Sequence, residues 1–82
     1  MKTFSIAISL ENEINIISYT SEKRNFKKEM MLVIRFVNMQ ICDIKSVEKI
    51  HNRKLKIVSD KDTVYDVFWK AAILWDESEL ED

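Results

Sequence analysis

Residues 60–75, DKDTVYDVFWKAAILW, carry the clearest periodic pattern of this chain. Apolar residues recur there at spacings of three and four, which places them on one side of a helix that turns about 100° per residue. They are Val64, Val67, Phe68, Ala71, Leu74 and Trp75. Residues that commonly cap helix N-termini precede them, namely Ser59, Asp60, Asp62 and Thr63. The pattern predicts a C-terminal amphipathic helix that packs on a core.

A second stripe lies on roughly the opposite side of this predicted helix. Tyr65, Trp69 and Ile73 follow one another at intervals of four residues. Either another part of the chain covers this stripe, or it forms an exposed aromatic patch. Tyr and Trp are enriched at the energetic centres of protein interfaces. An exposed patch would therefore indicate a docking face or the seam of a homodimer.

The N-terminal segment alternates as a half-buried strand does. Phe4, Ile6, Ile8 and Leu10 share one face of a predicted strand at 3–10. A polar connection at 11–13 leads to a second strand at 14–19, where the apolar phase shifts between residues 16 and 17 as a bulge would require. The two segments predict a hairpin.

Residues 29–41 fit two structures. A helix would align Phe26, Met30, Val33, Val37 and Ile41 on one side. The run LVIRFV, however, is rich in β-branched and aromatic residues, and we therefore favour a strand. Residues 42–50 fit neither period, so a strand and a short helical stretch after Asp43 are both possible there. A final strand beginning at residue 55 is expected to lead into the C-terminal helix.

The predicted fold class is α+β, an antiparallel sheet of four to five strands with a C-terminal amphipathic helix packed on it. The alternative is a ββαββα or ferredoxin-like sandwich with a second helix at about 22–38. We expect one globular domain at 1–76 and a flexible acidic tail at 77–82.

The 82 residues include no Gly and no Pro, a composition typical of an AT-rich gene such as that of a phage, a mobile element or a low-GC bacterium. Without Gly the chain cannot form the glycine-dependent phosphate loops or the hydrolase elbow. One Cys and one His are too few for a structural zinc site. We expect a protein that is not an enzyme and has no cofactor. Turns with positive φ must use other residues, for which Asn12, Asn25, Asn38 and Asn52 are candidates.

The single Cys42 cannot form an intramolecular disulfide, so nothing points to an oxidising compartment. The longest apolar runs, such as residues 30–34, are far shorter than the ~20 residues of a membrane span. We expect a cytoplasmic protein that does not insert into membranes.

Charge is unevenly distributed although the net charge is −1. Residues 1–22 carry −2, residues 23–56 carry +7 and residues 57–82 carry −6. The basic segment could bind nucleic-acid phosphates, with Phe26 or Tyr19 stacking on a base, through Lys23, Arg24, Lys27, Lys28, Arg53, Lys54 and Lys56. The acidic end could instead meet a basic protein surface through Asp76, Glu77, Glu79, Glu81 and Asp82.

The sequence thus predicts a small non-enzymatic protein-binding or inhibitor protein. Its partner would be a larger protein with a basic surface, bound through Tyr65, Trp69, Ile73 and the acidic end. A nucleic-acid-binding module that uses the basic middle segment is the alternative, and self-association through the second helix face is a third hypothesis.

Overall fold

The computed structural model describes residues 1–76. It contains a five-stranded antiparallel sheet and one helix on one side of that sheet. The elements are β1 (Lys2–Leu10), β2 (Glu13–Ser21), α1 (Phe26–Gln40), β3 (Ile44–His51), β4 (Lys54–Ser59) and β5 (Val64–Asp76). The strand order is β2-β1-β5-β4-β3, so the first and last strands pair near the middle. The α+β class and the strand number are confirmed, but the helix lies in the middle of the chain.

The predicted C-terminal helix is wrong, because residues 64–76 form strand β5. Val67 and Trp69 are buried, whereas Val64 and Phe68 from the supposed core stripe are 54% and 46% exposed. A spacing of four residues is an even number, so it keeps side chains on one side of a strand as well as of a helix. The stripe at 65, 69 and 73 was therefore compatible with both structures. Pairing with β1 on one side and β4 on the other selects the strand.

The strand favoured for 29–41 is also wrong, since α1 occupies residues 26–40. The helix of the alternative prediction, at about 22–38, lies close to this position, although the order of elements is ββαβββ rather than ββαββα or ferredoxin-like. Asn25 caps the helix by accepting a hydrogen bond of 3.0 Å from the backbone N–H of Lys28. Glu29, Val33 and Val37 recur every four residues and are buried. Burial of this side outweighs the β propensity of LVIRFV.

The predicted hairpin of β1 and β2 is confirmed, and its turn is tighter than expected. Glu11 and Asn12 both have positive φ, 48° and 64°, which suits a two-residue turn of the kind that joins twisted strands. The register runs without interruption from one end of the pair to the other, so the predicted bulge is wrong. The phase shift arises because Ile14 and Ile16 face away from the core. Of the four candidate asparagines, all within the described residues, Asn12 alone has positive φ.

Residues predicted to cap a helix close the loop between β4 and β5 instead. The Ser59 hydroxyl accepts hydrogen bonds from the backbone N–H groups of Lys61 and Thr63, at 3.2 and 3.1 Å. Asp62 takes a positive φ of 63° in the same loop. Ser and Asp favour local turns for the same reason that they cap helices, which is why the sequence did not separate the two uses.

The two sides of the sheet differ. One side packs under α1, and the buried hydrophobic core consists of Phe4, Ile6, Ile8, Leu10, Tyr19, Val33, Val37, Leu55, Ile57, Val67 and Trp69. The residues between these positions on the inner strands point to the other side, because side chains alternate along a strand. We call that side the open face. Its members on β2, β1, β5 and β4 include Ile14, Ile16, Ser5, Ala7, Ser9, Val64, Asp66, Phe68, Lys70, Lys54 and Lys56.

Candidate protein-binding surface

Trp69, the central residue of the predicted aromatic patch, is 1% exposed and belongs to the core. Its indole Nε1–H donates a hydrogen bond of 3.2 Å to Glu29 Oε1. Tyr65 is half-buried and Ile73 is 56% exposed, so these three residues form no continuous surface. The rest of this predicted site, the Asp76 side chain with Glu77, Glu79, Glu81 and Asp82, lies outside the described residues.

Glu29 is the centre of a buried polar cluster. Its carboxylate accepts two hydrogen bonds from the Arg24 guanidinium, 3.0 Å from Nε and 3.1 Å from Nη2. The Tyr19 hydroxyl donates a further hydrogen bond to the same carboxylate and accepts one from the backbone N–H of Asn25 at 3.1 Å. Together with Trp69, these contacts join the end of β2, the start of α1 and β5.

The surroundings of Glu29 favour its charged form. Burial is the largest single influence and raises the pKa of Glu29, but the hydrogen bonds from Arg24, Tyr19 and Trp69 outweigh it and hold the pKa below its ordinary value of 4.5. Burial raises the pKa of Tyr19, and its hydrogen bond to Glu29 acts in the same direction. The hydrogen bond to Glu29 raises the pKa of Arg24. At neutral pH the cluster is an ion pair with a neutral phenol, and it fixes α1 on the sheet.

The seven basic residues predicted to bind nucleic acid do not converge. Arg24 is committed to Glu29, and Lys28 Nζ donates a hydrogen bond of 3.2 Å to the Thr20 carbonyl. Lys27 lies on α1, whereas Lys54 and Lys56 lie on the open face on the other side of the sheet. Of the two aromatic residues considered for stacking on a base, Tyr19 is buried, while Phe26 is half exposed with the Arg24 guanidinium 4.6 Å from its ring centre.

An acidic cavity of about 390 Å³ opens where the β1–β2 turn meets β5. Ile14 and Phe68 contribute its apolar surface, Glu11 and Asp66 supply carboxylates, and Glu13 borders it at the start of β2. Cross-strand pairing explains why these residues meet, because Ser9 of β1 is opposite Ile14 on one side and Phe68 on the other.

A basic cavity of about 500 Å³ lies on the other side of Phe68. His51, Arg53, Lys54 and Lys70 line it. Phe68 therefore stands between an acidic and a basic cavity. Phe68 was not predicted as a surface residue, because the helical spacing places it on the core side of a helix. The polar residues Asp66 and Lys70, each two positions from Phe68, were the available signal that it faces solvent.

Cys42 and His51 are the single Cys and the single His of the sequence. Burial, with smaller contributions from Asp60 and Asp43, raises the pKa of Cys42 and so disfavours the reactive thiolate. His51 is exposed where β3 meets its turn to β4. Across residues 1–76, no three His, Cys, Asp or Glu side chains come together as a metal site would require.

The described helix is too short and too polar to cross a membrane. Comparisons with protein-family models, with curated protein sequences and with solved structures find no match to this chain.

Proposed function

We propose that the chain is a small non-enzymatic binding protein that docks on a basic surface of another protein through its open face. The observation that supports this proposal is the exposed apolar surface of Ile14, Ile16 and Phe68, which adjoins the acidic cavity. An apolar centre with a charged rim is the usual anatomy of a protein interface. A chain that covers a basic surface of a larger partner would inhibit whatever that surface normally binds.

The apolar part of the open face can supply binding energy. Ile14 and Ile16 are 68% and 69% exposed, and Phe68 is 46% exposed. Complete burial of such side chains is worth about 1.5–3 kcal/mol each. The proposed surface thus replaces Trp69 with Phe68 as the aromatic anchor.

The acidic cavity can supply orientation and specificity. Glu11 and Asp66 offer carboxylates to the Lys or Arg side chains of a partner, and the ring of Phe68 can interact with a cation over its face. Complementary charge also speeds association, an effect that weakens as salt is added.

A peptide titration followed by the amide NMR signals of the chain tests this proposal. A synthetic peptide of alternating arginine and leucine is expected to shift the signals of Ser9, Ile14 and Phe68, whereas its glutamate–leucine counterpart is not. Glu11→Lys, at the edge of the acidic cavity, should weaken binding of the basic peptide about tenfold. Glu22→Lys is the matched control, since it changes the same charge just beyond the other end of β2. Equal responses to both peptides, or equal losses in both variants, would contradict the proposal.

Nucleic-acid binding is the second candidate, and the basic cavity favours it. Arg53, Lys54 and Lys70 line this cavity together with Phe68, whose exposed ring could stack on an unpaired base. The same titration with a single-stranded oligothymidylate tests it, because this candidate predicts binding that weakens steeply with salt and depends on Lys70. An oligonucleotide without effect at low salt would eliminate it.

A further inference from the structure

We infer that the chain has a second binding site at the edge of β5 beyond Phe68, and that this site takes the acidic C-terminal segment of another protein as an added strand. This site goes beyond the proposed function, because it consists of a strand edge and the basic cavity and not of the acidic part of the open face. The register of the sheet, the exposure of Ile73 and the charges of the basic cavity support it.

β5 has a partner along only part of its length on the side where β4 lies. β4 pairs with residues 64–68, whereas β1, on the other side, pairs with residues 68–76. A backbone hydrogen bond of 3.1 Å from the Trp69 N–H to the Arg53 carbonyl ends the pairing with the β3–β4 hairpin. Beyond it, no strand within residues 1–76 pairs with β5 on this side. We call this side of residues 70–76 the free edge.

The backbone of the free edge is oriented to pair with a further strand. In an antiparallel ladder the N–H and C=O of one residue point to the same side, and successive residues point to opposite sides. Trp69 donates toward β4, so Ala71 and Ile73 direct their N–H and C=O groups to that side as well, where no strand of the described chain meets them. An exposed edge of this kind is a template for strand addition.

The side chain of Ile73 marks the same gap. Ile73 is opposite Phe4 of β1, which is 3% exposed, so both side chains lie on the side of the sheet that α1 covers. Ile73 is nevertheless 56% exposed. A strand added at the free edge would cover it, because side chains directly opposite on paired strands lie about 5 Å apart. The site therefore favours a partner with apolar residues on this side.

The basic cavity determines the direction of the added strand. It lies where the turn between β3 and β4 blocks the path along the free edge, and its cationic lining includes Arg53, Lys54 and Lys70. No carboxylate of residues 1–76 forms a salt bridge with these three cations. A strand antiparallel to β5 ends with its C-terminal carboxylate at this cavity, whereas a parallel strand would begin there with an ammonium group. Charge complementarity selects the antiparallel strand, and the blocked path selects a chain end.

The register specifies the ligand. With its last residue opposite Ala71, the partner accepts a hydrogen bond from the Ala71 N–H at its terminal carboxylate and donates its own last N–H to the Ala71 carbonyl. Its last and third-from-last side chains share the core side with Ala71 and Ile73, so they are apolar. Its penultimate side chain lies on the side of exposed Lys70, so it is acidic.

A titration of the whole chain with the acetylated peptide STSVEV, followed by amide NMR signals, tests this inference. The peptide should shift the signals of Ala71 and Ile73, slow the exchange of both amides with water and leave Ile14 unchanged. Two control peptides isolate the contacts: a C-terminal amide removes the charge, and N-methylation of the last valine removes the N–H that pairs with Ala71. Each should bind about tenfold more weakly or less tightly still.

Protein variants test the basic cavity separately. Arg53→Glu should weaken binding of the free-acid peptide about tenfold. Lys61→Glu, in the loop at the other end of β4, makes the same change of charge and should leave binding intact.

Three results would overturn the inference: equal binding of the three peptides, equal binding by the two variants, or slow exchange of the Ala71 and Ile73 amides before any peptide is added. Shifts of these amides by oligothymidylate but not by the free-acid peptide would assign the basic cavity to nucleic acid and overturn it as well. Each of these results leaves the proposed function standing, because that proposal is read from the signals of Ser9 and Ile14 with the arginine–leucine peptide.

Discussion

Replacing Trp69 by alanine is expected to lower the free energy of unfolding by about 3–5 kcal/mol, the usual cost of removing a large aromatic side chain from a core. Trp69 is 1% exposed and packs within the principal hydrophobic cluster. The substitution also removes one hydrogen-bond donor from the buried carboxylate of Glu29. Urea unfolding followed by circular dichroism measures the loss.

The neighbouring residue provides the matched control. Phe68→Ala removes an aromatic ring one position away on the same strand, but from the open face, where Phe68 is 46% exposed. When measured on the monomeric chain, Phe68→Ala should lower the free energy of unfolding by about 1 kcal/mol. Trp69→Phe keeps an aromatic ring but loses the N–H, so it should lower the free energy of unfolding by about 1–2 kcal/mol. This variant replaces Trp69→Ala in the comparison if Trp69→Ala does not fold. A larger loss for Phe68→Ala than for Trp69→Ala would contradict the assignment of faces.

Removing Arg24 is expected to have the second largest effect. Arg24→Ala takes both guanidinium hydrogen bonds from Glu29, whose side chain is 0% exposed, and leaves a buried charge without its main partner. Such a change costs about 3 kcal/mol. Lys23→Ala removes an adjacent exposed cation and should cost less than about 0.5 kcal/mol.

The effect of Arg24→Ala should depend on pH in a defined direction. Because the pKa of Glu29 is lowered in the folded state, its contribution to stability is present above the ordinary value of 4.5 and is lost as the pH falls through the lowered value. In Arg24→Ala, burial is no longer balanced by the guanidinium, so Glu29 should bind a proton at higher pH. The stability difference between wild type and variant should therefore be smaller near pH 3 than near pH 7. A difference that is independent of pH would show that Glu29 is not the group involved.

Local sequence patterns predicted the elements in which the spacing of apolar residues fits only one type of secondary structure. Alternation along Phe4, Ile6, Ile8 and Leu10 identified β1 and its buried side, and the polar connection after it identified the hairpin. The spacing of apolar residues alone could not show whether residues 60–75 form a helix or a strand, because intervals of four residues fit both equally. The deciding contacts are those with β1, which lies about sixty residues earlier in the sequence.

The functional surface could be predicted only in part. Lys54 and Arg53 were recognised as candidate binding residues, and they line the basic cavity. Phe68 and Lys70 were not, because their exposure follows from β5 being a strand with one covered side. Glu29 was likewise missed, since its partners Tyr19 and Trp69 are ten and forty residues away and no local pattern reports their meeting.

The central claim is that residues 64–76 form a strand between β1 and β4, with Trp69 inside and Phe68 outside. Nuclear Overhauser effects of the wild-type backbone test this most directly. We expect contacts across the strands between Ile8 and Trp69 and between Leu55 and Val67, together with strong sequential contacts from each Hα to the next amide. Strong contacts between successive amides throughout 60–75, with none between Ile8 and Trp69, would show a helix and contradict the claim.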